Sequence, residues 1–243
     1  RVDRAKPEAG GGSHLPCRRE RRAAAKSAGI GFSEYPVVSE DPWTASFFSE
    51  AEILPEAMSI NDKLSKMQEI LADARAYCDK LVDFRVVYEE LQVSKAFISQ
   101  AKDLTQVYTF TTANALAVAG KDGSIKYEYD GVSGQIGVEA LDQLRPMVPG
   151  IVDRAAELLS AERLVPGVYD VICGPRVSGL IAHEAFGHGV ETDMFVKNRA
   201  KGAAYIGKRV ASDITNMKDG AASAREVASY LFDDEGTPGS DTT

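Results

Sequence analysis

From residue 61 to about 81 the apolar residues return every three or four positions. Leu64, Met67, Ile70, Leu71 and Ala74 fall on one stripe, and Lys63, Lys66, Glu69 and Asp73 on the other, which is the period of an amphipathic helix. Cys78 lies near its end, where a buried structural thiol is the expectation. The pattern then changes. Four runs rich in valine, threonine, tyrosine and phenylalanine, at about 84–90, 92–99, 106–119 and 124–129, read as strands. The last pair is separated by the turn KDG, so an antiparallel sheet is predicted beside the helix. The third run is long for a strand and predicts a bulge or a curve.

A second helical period spans 147–160, with Ile151, Ala155, Leu158 and Leu159 as its buried face. Pro166 and Gly167 make a turn before VYDVICG, a short apolar strand leading into a further helix. Upstream, residues 31–60 carry Pro36, Pro42 and Pro55 among Trp43, Phe47 and Phe48. That mixture predicts an irregular segment with one short helix, its aromatics packing on a surface. Residues 202–210 and 225–232 fit either strands or loops. The fold class is therefore α/β in the α+β sense: a mixed helix and antiparallel sheet domain over 31–165, then the start of a second, sheet-rich domain over 166–243.

Composition sets bounds on function. With 243 residues, 44% of them hydrophobic, the chain has ample material for a core. The net charge of -8 is unevenly placed, because residues 1–26 hold a basic cluster of arginines and lysines and leave the body acidic. An acidic body argues against a nucleic-acid surface. Residues 1–30 read as a flexible basic leader, rich in glycine and poor in aromatics, with a nucleic-acid or membrane contact as the minor reading. Three cysteines, Cys17, Cys78 and Cys173, are widely separated and form no CxxC pair, which fits a reducing compartment. No apolar run approaches the roughly 20 residues that span a bilayer, so the expectation is a soluble, cytoplasmic protein. The opening arginine and the closing GTPGSDTT read as the ends of a fragment.

The chemistry concentrates in VSGLIAHEAFGHGVETD, residues 177–193, which holds two of the three histidines. Pro175 suits a first helical position and Gly189 a stop, while Val177, Ile181, Glu184 and His188 continue one stripe from apolar into polar residues. A buried polar group without a partner costs several kcal/mol, and a cation is one such partner. The familiar HExxH zinc motif spaces its histidines four apart. Here His183 and His188 are five apart, about 140° around an ideal helix. A local distortion such as a π-bulge near Gly187 is predicted to bring them together. His183 and His188 would then be metal ligands and Glu184 a general base, with the third protein ligand that a catalytic zinc site usually has missing from the motif.

HEAFGHGVETD, the preceding PGVYDVICGP and the later DDEG resemble the TldD/PmbA family of metallopeptidases, in particular the zinc-bearing TldD type with its HExxxH motif. The resemblance runs from about residue 81 to 234, is strongest over 166–193 and does not reach the first thirty residues. It implies a cytoplasmic zinc peptidase acting on unfolded or short polypeptides. It also implies a two-subunit assembly with a related inactive subunit or a second copy, and a site in an enclosed cavity. On it, residues 166–243 are the start of a C-terminal metallopeptidase domain, His183 and His188 bind zinc, and Glu184 is the general base. The family's third ligand is a cysteine from a later part of the C-terminal domain. Cys173, Glu191 and Asp193 are substitutes by residue type, and spacing singles out none of them.

Each sharp reading has a plain counterpart. The histidines and Glu184 also suit a buried helix with a salt bridge. Cys173 is expected to be a small buried hydrophobe, outside the site. Glu191 and Asp193 suit either partners that orient an imidazole or an exposed acidic loop, and Asp233, Asp234 and Glu235 a turn, a channel wall or a solvated loop. A non-catalytic subunit or inert fragment is the alternative to a zinc peptidase.

Overall fold

The computed structural model describes residues 23, 26–29, 39–49, 51–221, 226 and 229–242. The chain divides into two compact units, 1–41 and 42–243, and the account below concerns the second. Apart from residues 23 and 26–29, the basic leader expected over 1–30 lies outside the described residues, as does Cys17. The second unit runs β1 (Trp43–Phe48), α1 (Ile60–Tyr77), β2 (Leu81–Ile98), β3 (Lys102–Lys121), β4 (Ser124–Gly134), α2 (Glu139–Leu144), α3 (Val148–Glu157), α4 (Pro175–Ala185) and α5 (Thr192–Val196), with short 3-10 turns between. Helices, a four-stranded mixed sheet and a short two-stranded pair of Asp219–Gly220 with Asp241–Thr242 make it an α+β fold.

β3 is the spine. It pairs antiparallel with β2 along its length, from Asp103 opposite Ile98 to Ala119 opposite Leu81. Its other side is shared end to end. β1 pairs in parallel with Lys102 to Val107, and β4 pairs antiparallel with Thr111 to Lys121. Ser49 spans the gap between them, donating its N–H to the Val107 carbonyl at 2.9 Å and accepting from the Thr109 N–H at 3.1 Å. The β3–β4 turn contains Asp122 at φ 50° and Gly123 at φ 80°, the pair of left-handed residues a tight hairpin requires and that Asp-Gly supplies.

The alternation along β3 explains where the core sits. Thr109, Thr111, Ala113, Ala115, Ala117 and Ala119 are buried on one face, and the run of alanines lets α1 and α3 approach closely. There Ile70 and Ala74 of α1 meet Val148, Ile151, Val152 and Ala155 of α3 over Phe84. Fully burying each large aliphatic contributes about 1.5–3 kcal/mol. Near the other end Leu104 and Gln106, two residues apart and of opposite parity, are buried on the opposite face. The Gln106 side chain donates to the Phe232 carbonyl at 2.8 Å and accepts from the Leu231 N–H at 2.9 Å. The DDEG stretch follows directly. Asp233 accepts from the N–H groups of Glu235 and Thr237, forming a turn, and Asp234 pairs with Lys95.

Several expectations are corrected. The runs 84–90 and 92–99 are one 18-residue strand, β2. The sheet is mixed, not purely antiparallel, because residues expected to be irregular form the parallel edge strand β1. β3 keeps a regular register, and the single irregularity lies in β2 between Leu81 and Asp83. In α1, Leu64 is exposed and Lys63 is buried. The Lys63 ammonium meets both Glu90 oxygens at 2.8 Å, and a paired ion can occupy a buried position that a lone one cannot. Glu90 also accepts from the Tyr88 hydroxyl at 2.7 Å; burial, then this bond, pushes the Tyr88 phenol well above its ordinary value. Leu158 is exposed just past the end of α3. VYDVICG is not a strand: Val168 and Ile172 are fully exposed, and no described strand lies beside it to supply the ladder that strands need.

Glu139 joins the helices to the edge of the sheet. The residue is 6% exposed, and its carboxylate accepts from the N–H groups of Glu52, Ile53 and Gly137, each at 2.9 Å. Burial acts to raise its pKa, but the N–H groups of Gly137, Ile53 and Glu52 outweigh it and hold the group below the ordinary carboxylate range. Its contribution is thus fully present above the unfolded pKa and is lost as pH falls through the depressed native value. Glu139→Gln keeps the shape but turns an amide N–H₂ toward backbone donors. Urea melts should show a loss of about 1.5–3 kcal/mol at pH 7 and a weaker dependence of stability on pH below about 4. An unchanged pH profile would contradict this account of Glu139.

Candidate metal centre

The motif helix starts as its sequence dictates. Gly174 is extended at φ -65° and ψ 164°, and Pro175 takes the first turn, where its missing N–H costs no hydrogen bond. The helix ends at Ala185, because Phe186 leaves helical geometry at φ -132° and ψ -45° and a 3-10 turn follows over Gly187–Val190. The expected distortion is present. It takes the form of a helix break at Phe186 rather than a π-bulge at Gly187.

The break matters for the histidines. On an unbroken helix they would stand about 140° apart, yet their ring centroids lie 4.4 Å apart at an interplanar angle of 68°. Glu184 joins them: one donor atom from each of His183, Glu184 and His188 lies within 4.8 Å of the others, and His188 Nε2 is 3.9 Å from Glu184 Oε2. All three are exposed, Glu184 and His188 by 62% and 51% of their side chains. The stripe expected to be buried therefore faces solvent along α4, in which no residue is buried. The described residues build no enclosed cavity around these groups.

Of the neighbouring candidates, Glu191 is the one in contact with the cluster. His188 Nδ1 lies 2.7 Å from Glu191 Oε1, and since an ionised carboxylate only accepts, Nδ1 carries the hydrogen. That leaves the Nε2 lone pair free toward His183 and Glu184, the arrangement by which outer carboxylates orient metal-binding imidazoles. Asp193 turns away to Lys197 at 2.6 Å, and the Lys197 ammonium holds its carboxyl below the ordinary range. Cys173 is exposed rather than buried, on the irregular segment before α4, and is not among the clustered donors.

One contact had no signal in the sequence. Arg176, in the first turn of α4, donates from Nη1 to Asp130 Oδ1 and from Nη2 to the Gly131 carbonyl at 3.4 Å. Asp130 also accepts from Arg154 of α3 at 3.0 Å and from the Gly131 N–H at 2.8 Å. Burial raises its pKa, but Arg176, the Gly131 N–H and Arg154 together lower it below the ordinary value. Arg176 and Asp130 line a concavity of about 450 Å³ together with Val87, Leu116 and Tyr129.

The donor set suits a metal. Two imidazole nitrogens are donors of the kind zinc takes at about 2.0–2.1 Å, the Glu184 carboxylate stands beside them, and the exposed rim leaves room for a further ligand and a water.

Proteins similar to this chain are named as metalloproteases. Residues 166–243 match the family model of the PmbA/TldA metallopeptidase C-terminal domain. The metalloprotease slr0863 of Synechocystis sp. is 28% identical over 227 residues, which cover 92% of this chain and 49% of that protein. A metalloprotease TldD homolog of Buchnera aphidicola is 37% identical over 81 residues, 33% of this chain and 17% of the other. The crystal structure of TldE from Thermococcus kodakarensis matches with a TM-score of 0.55 at 19% identity, covering 93% of this chain and 51% of that one, a likeness of fold. The chain thus spans about half the length of the cyanobacterial relative.

If the Glu191 contact fixes the ring, nitrogen-15 spectra of the neutral His188 imidazole should show a protonated Nδ1 and a bare Nε2. Glu191→Ala should then give a mixture of tautomers. A mixture already present in the wild type would remove Glu191 from the site.

Proposed function

We propose, proceeding from the membership of this chain in the TldD/PmbA family, that it carries the metal-binding half of a zinc-dependent peptidase site. The observation that supports this best is the approach of His183, Glu184 and His188 to within 4.8 Å despite a spacing that a regular helix would keep apart. The relatives' naming as metalloproteases points the same way. His183 and His188 are the proposed ligands, and a domain starting near residue 166 is proposed with them, in keeping with a family match over 166–243.

A zinc ion held there supplies a Lewis acid that polarises a peptide carbonyl and acidifies a neighbouring water. Glu184, exposed beside His188, takes the proton from that water at its carboxylate and passes it to the departing amine nitrogen. Glu191 keeps His188 in the tautomer that presents Nε2. Unfolded or short polypeptides are the proposed substrates, on the family resemblance alone. Completion of the ligand set is assigned to a cysteine outside these residues, in keeping with a chain that spans half of its relative.

A related subunit or a second copy is the proposed partner, and the cytoplasm the proposed location; no described helix is long and apolar enough to cross a membrane. The second reading, a non-catalytic subunit, draws on the exposure of the donor cluster, which by itself lacks the shielding that peptidase chemistry favours.

Purified protein should bind zinc, and either His183→Ala or His188→Ala should weaken binding at least tenfold by competition with a chromophoric chelator. Glu184→Gln should keep the zinc and abolish cleavage of an unstructured peptide in the complete enzyme. Equal zinc affinity in the wild type and both histidine variants would end the metal assignment, and full activity in Glu184→Gln would end that of the base.

A further inference from the structure

We infer that Asp130, acting through Arg176, is a positioning residue that sets the height and rotation of the motif helix and so the disposition of His183 and His188. The inference rests on the metal site proposed above.

The need for such a tether follows from the exposure of α4. No residue of the helix is buried, so packing does not fix where it stands. Its own side-chain bond at Ser178 reaches only the Cys173 carbonyl, five residues back. Arg176 is different, because its two terminal nitrogens reach across 45 residues of sequence to a carboxylate and a carbonyl on β4. A planar guanidinium that meets two acceptors fixes direction as well as distance.

The acceptor side is rigid. The Asp130 side chain is 17% exposed, against 73% for Arg176, and it is held by Arg154 and the Gly131 N–H besides. Gly131 faces Asn114 across the β3–β4 ladder, where a Cβ would come within 2.6 Å of the Ala113 carbonyl oxygen. Arg176 is thus anchored to the regular part of the sheet, where Asp130 pairs directly with the core residue Ala115.

Helical geometry carries the effect to the site. Arg176 and His183 are seven residues apart, two turns less about 20°, so they lie on one face with about 10 Å of rise between them. Fixing Arg176 therefore fixes the face that His183 presents. Metal sites and catalytic groups respond to misplacements of about 1 Å.

The test compares zinc affinity, by chelator competition, and amide hydrogen exchange over residues 177–188 in the full chain. Arg176 is exposed, so Arg176→Ala should fold. In that variant we expect metal-free exchange over 177–188 to speed up at least tenfold and zinc binding to weaken about tenfold. Asp130→Asn should weaken zinc similarly, the double variant no further than the worse single one, and Arg176→Lys should recover part of the loss. Arg154→Ala touches the same carboxylate from α3 and should leave zinc affinity within about twofold. Unchanged exchange in Arg176→Ala overturns the inference whatever the zinc result, and so does an Arg154→Ala loss as large as that of Arg176→Ala. Faster exchange with no zinc bound by the wild type would uphold the tether and overturn the metal site instead.

Discussion

One strand sets the register for the whole of the second unit. β3 is hydrogen-bonded to each of the other three long strands, and because side chains alternate along a strand, a slip of one residue would send its alanines to the wrong face. Those alanines are what let α1 and α3 close on the sheet. The same ladder carries β4, and β4 carries Asp130 and Gly131. The motif helix is therefore referred, through one guanidinium, to the most constrained part of the molecule. An exposed helix can hold its histidines in place on such terms only while the sheet it is tied to keeps its register.

The parts of this fold that were legible in the sequence are those where one periodic signal acts alone. α1, β3 and the KDG turn follow from helical stripe, strand composition and Asp-Gly chemistry. What stayed hidden depended on partners distant in sequence. Lys63 read as a surface lysine because Glu90, 27 residues on, was not visible as its counter-ion. β1 read as irregular because proline and aromatic residues carry no period, and its strand geometry comes from β3. VYDVICG shows the reverse error. Its composition favours a strand, yet composition without a neighbour to complete the ladder leaves the segment irregular and exposed.

The site was legible in its residues and less so in its shape. Spacing alone required that something bend between His183 and His188, but glycine was a poor guide to where. Gly187 has an ordinary φ, and a Cβ there would make only ordinary contacts at 3.7 Å or more. The departure falls on Phe186, one residue earlier. Once the helix breaks there, the 3-10 turn swings His188 back over His183 and delivers Glu191 to its far nitrogen. The five-residue spacing is thus matched to a helix end, not to a helix interior.

That distinction bears on how such a site works. In a continuous helix with histidines four apart, both ligands share one rigid body, and the metal geometry is fixed by the helix alone. Here His183 belongs to α4 and His188 to the turn beyond it, so the separation of the two rings depends on the torsions at Phe186 as well. Two separate restraints act on the two halves. Arg176 and Asp130 act on the helix, and Glu191 acts on the ring of His188. A site divided in this way is more easily misaligned than HExxH, and an ion that bonds to both rings would stiffen the junction between them. Metal binding and local order are then coupled, since ordering the turn costs entropy that a bound ion offsets. The longer spacing therefore favours a metal site that is completed on binding over one fully formed beforehand.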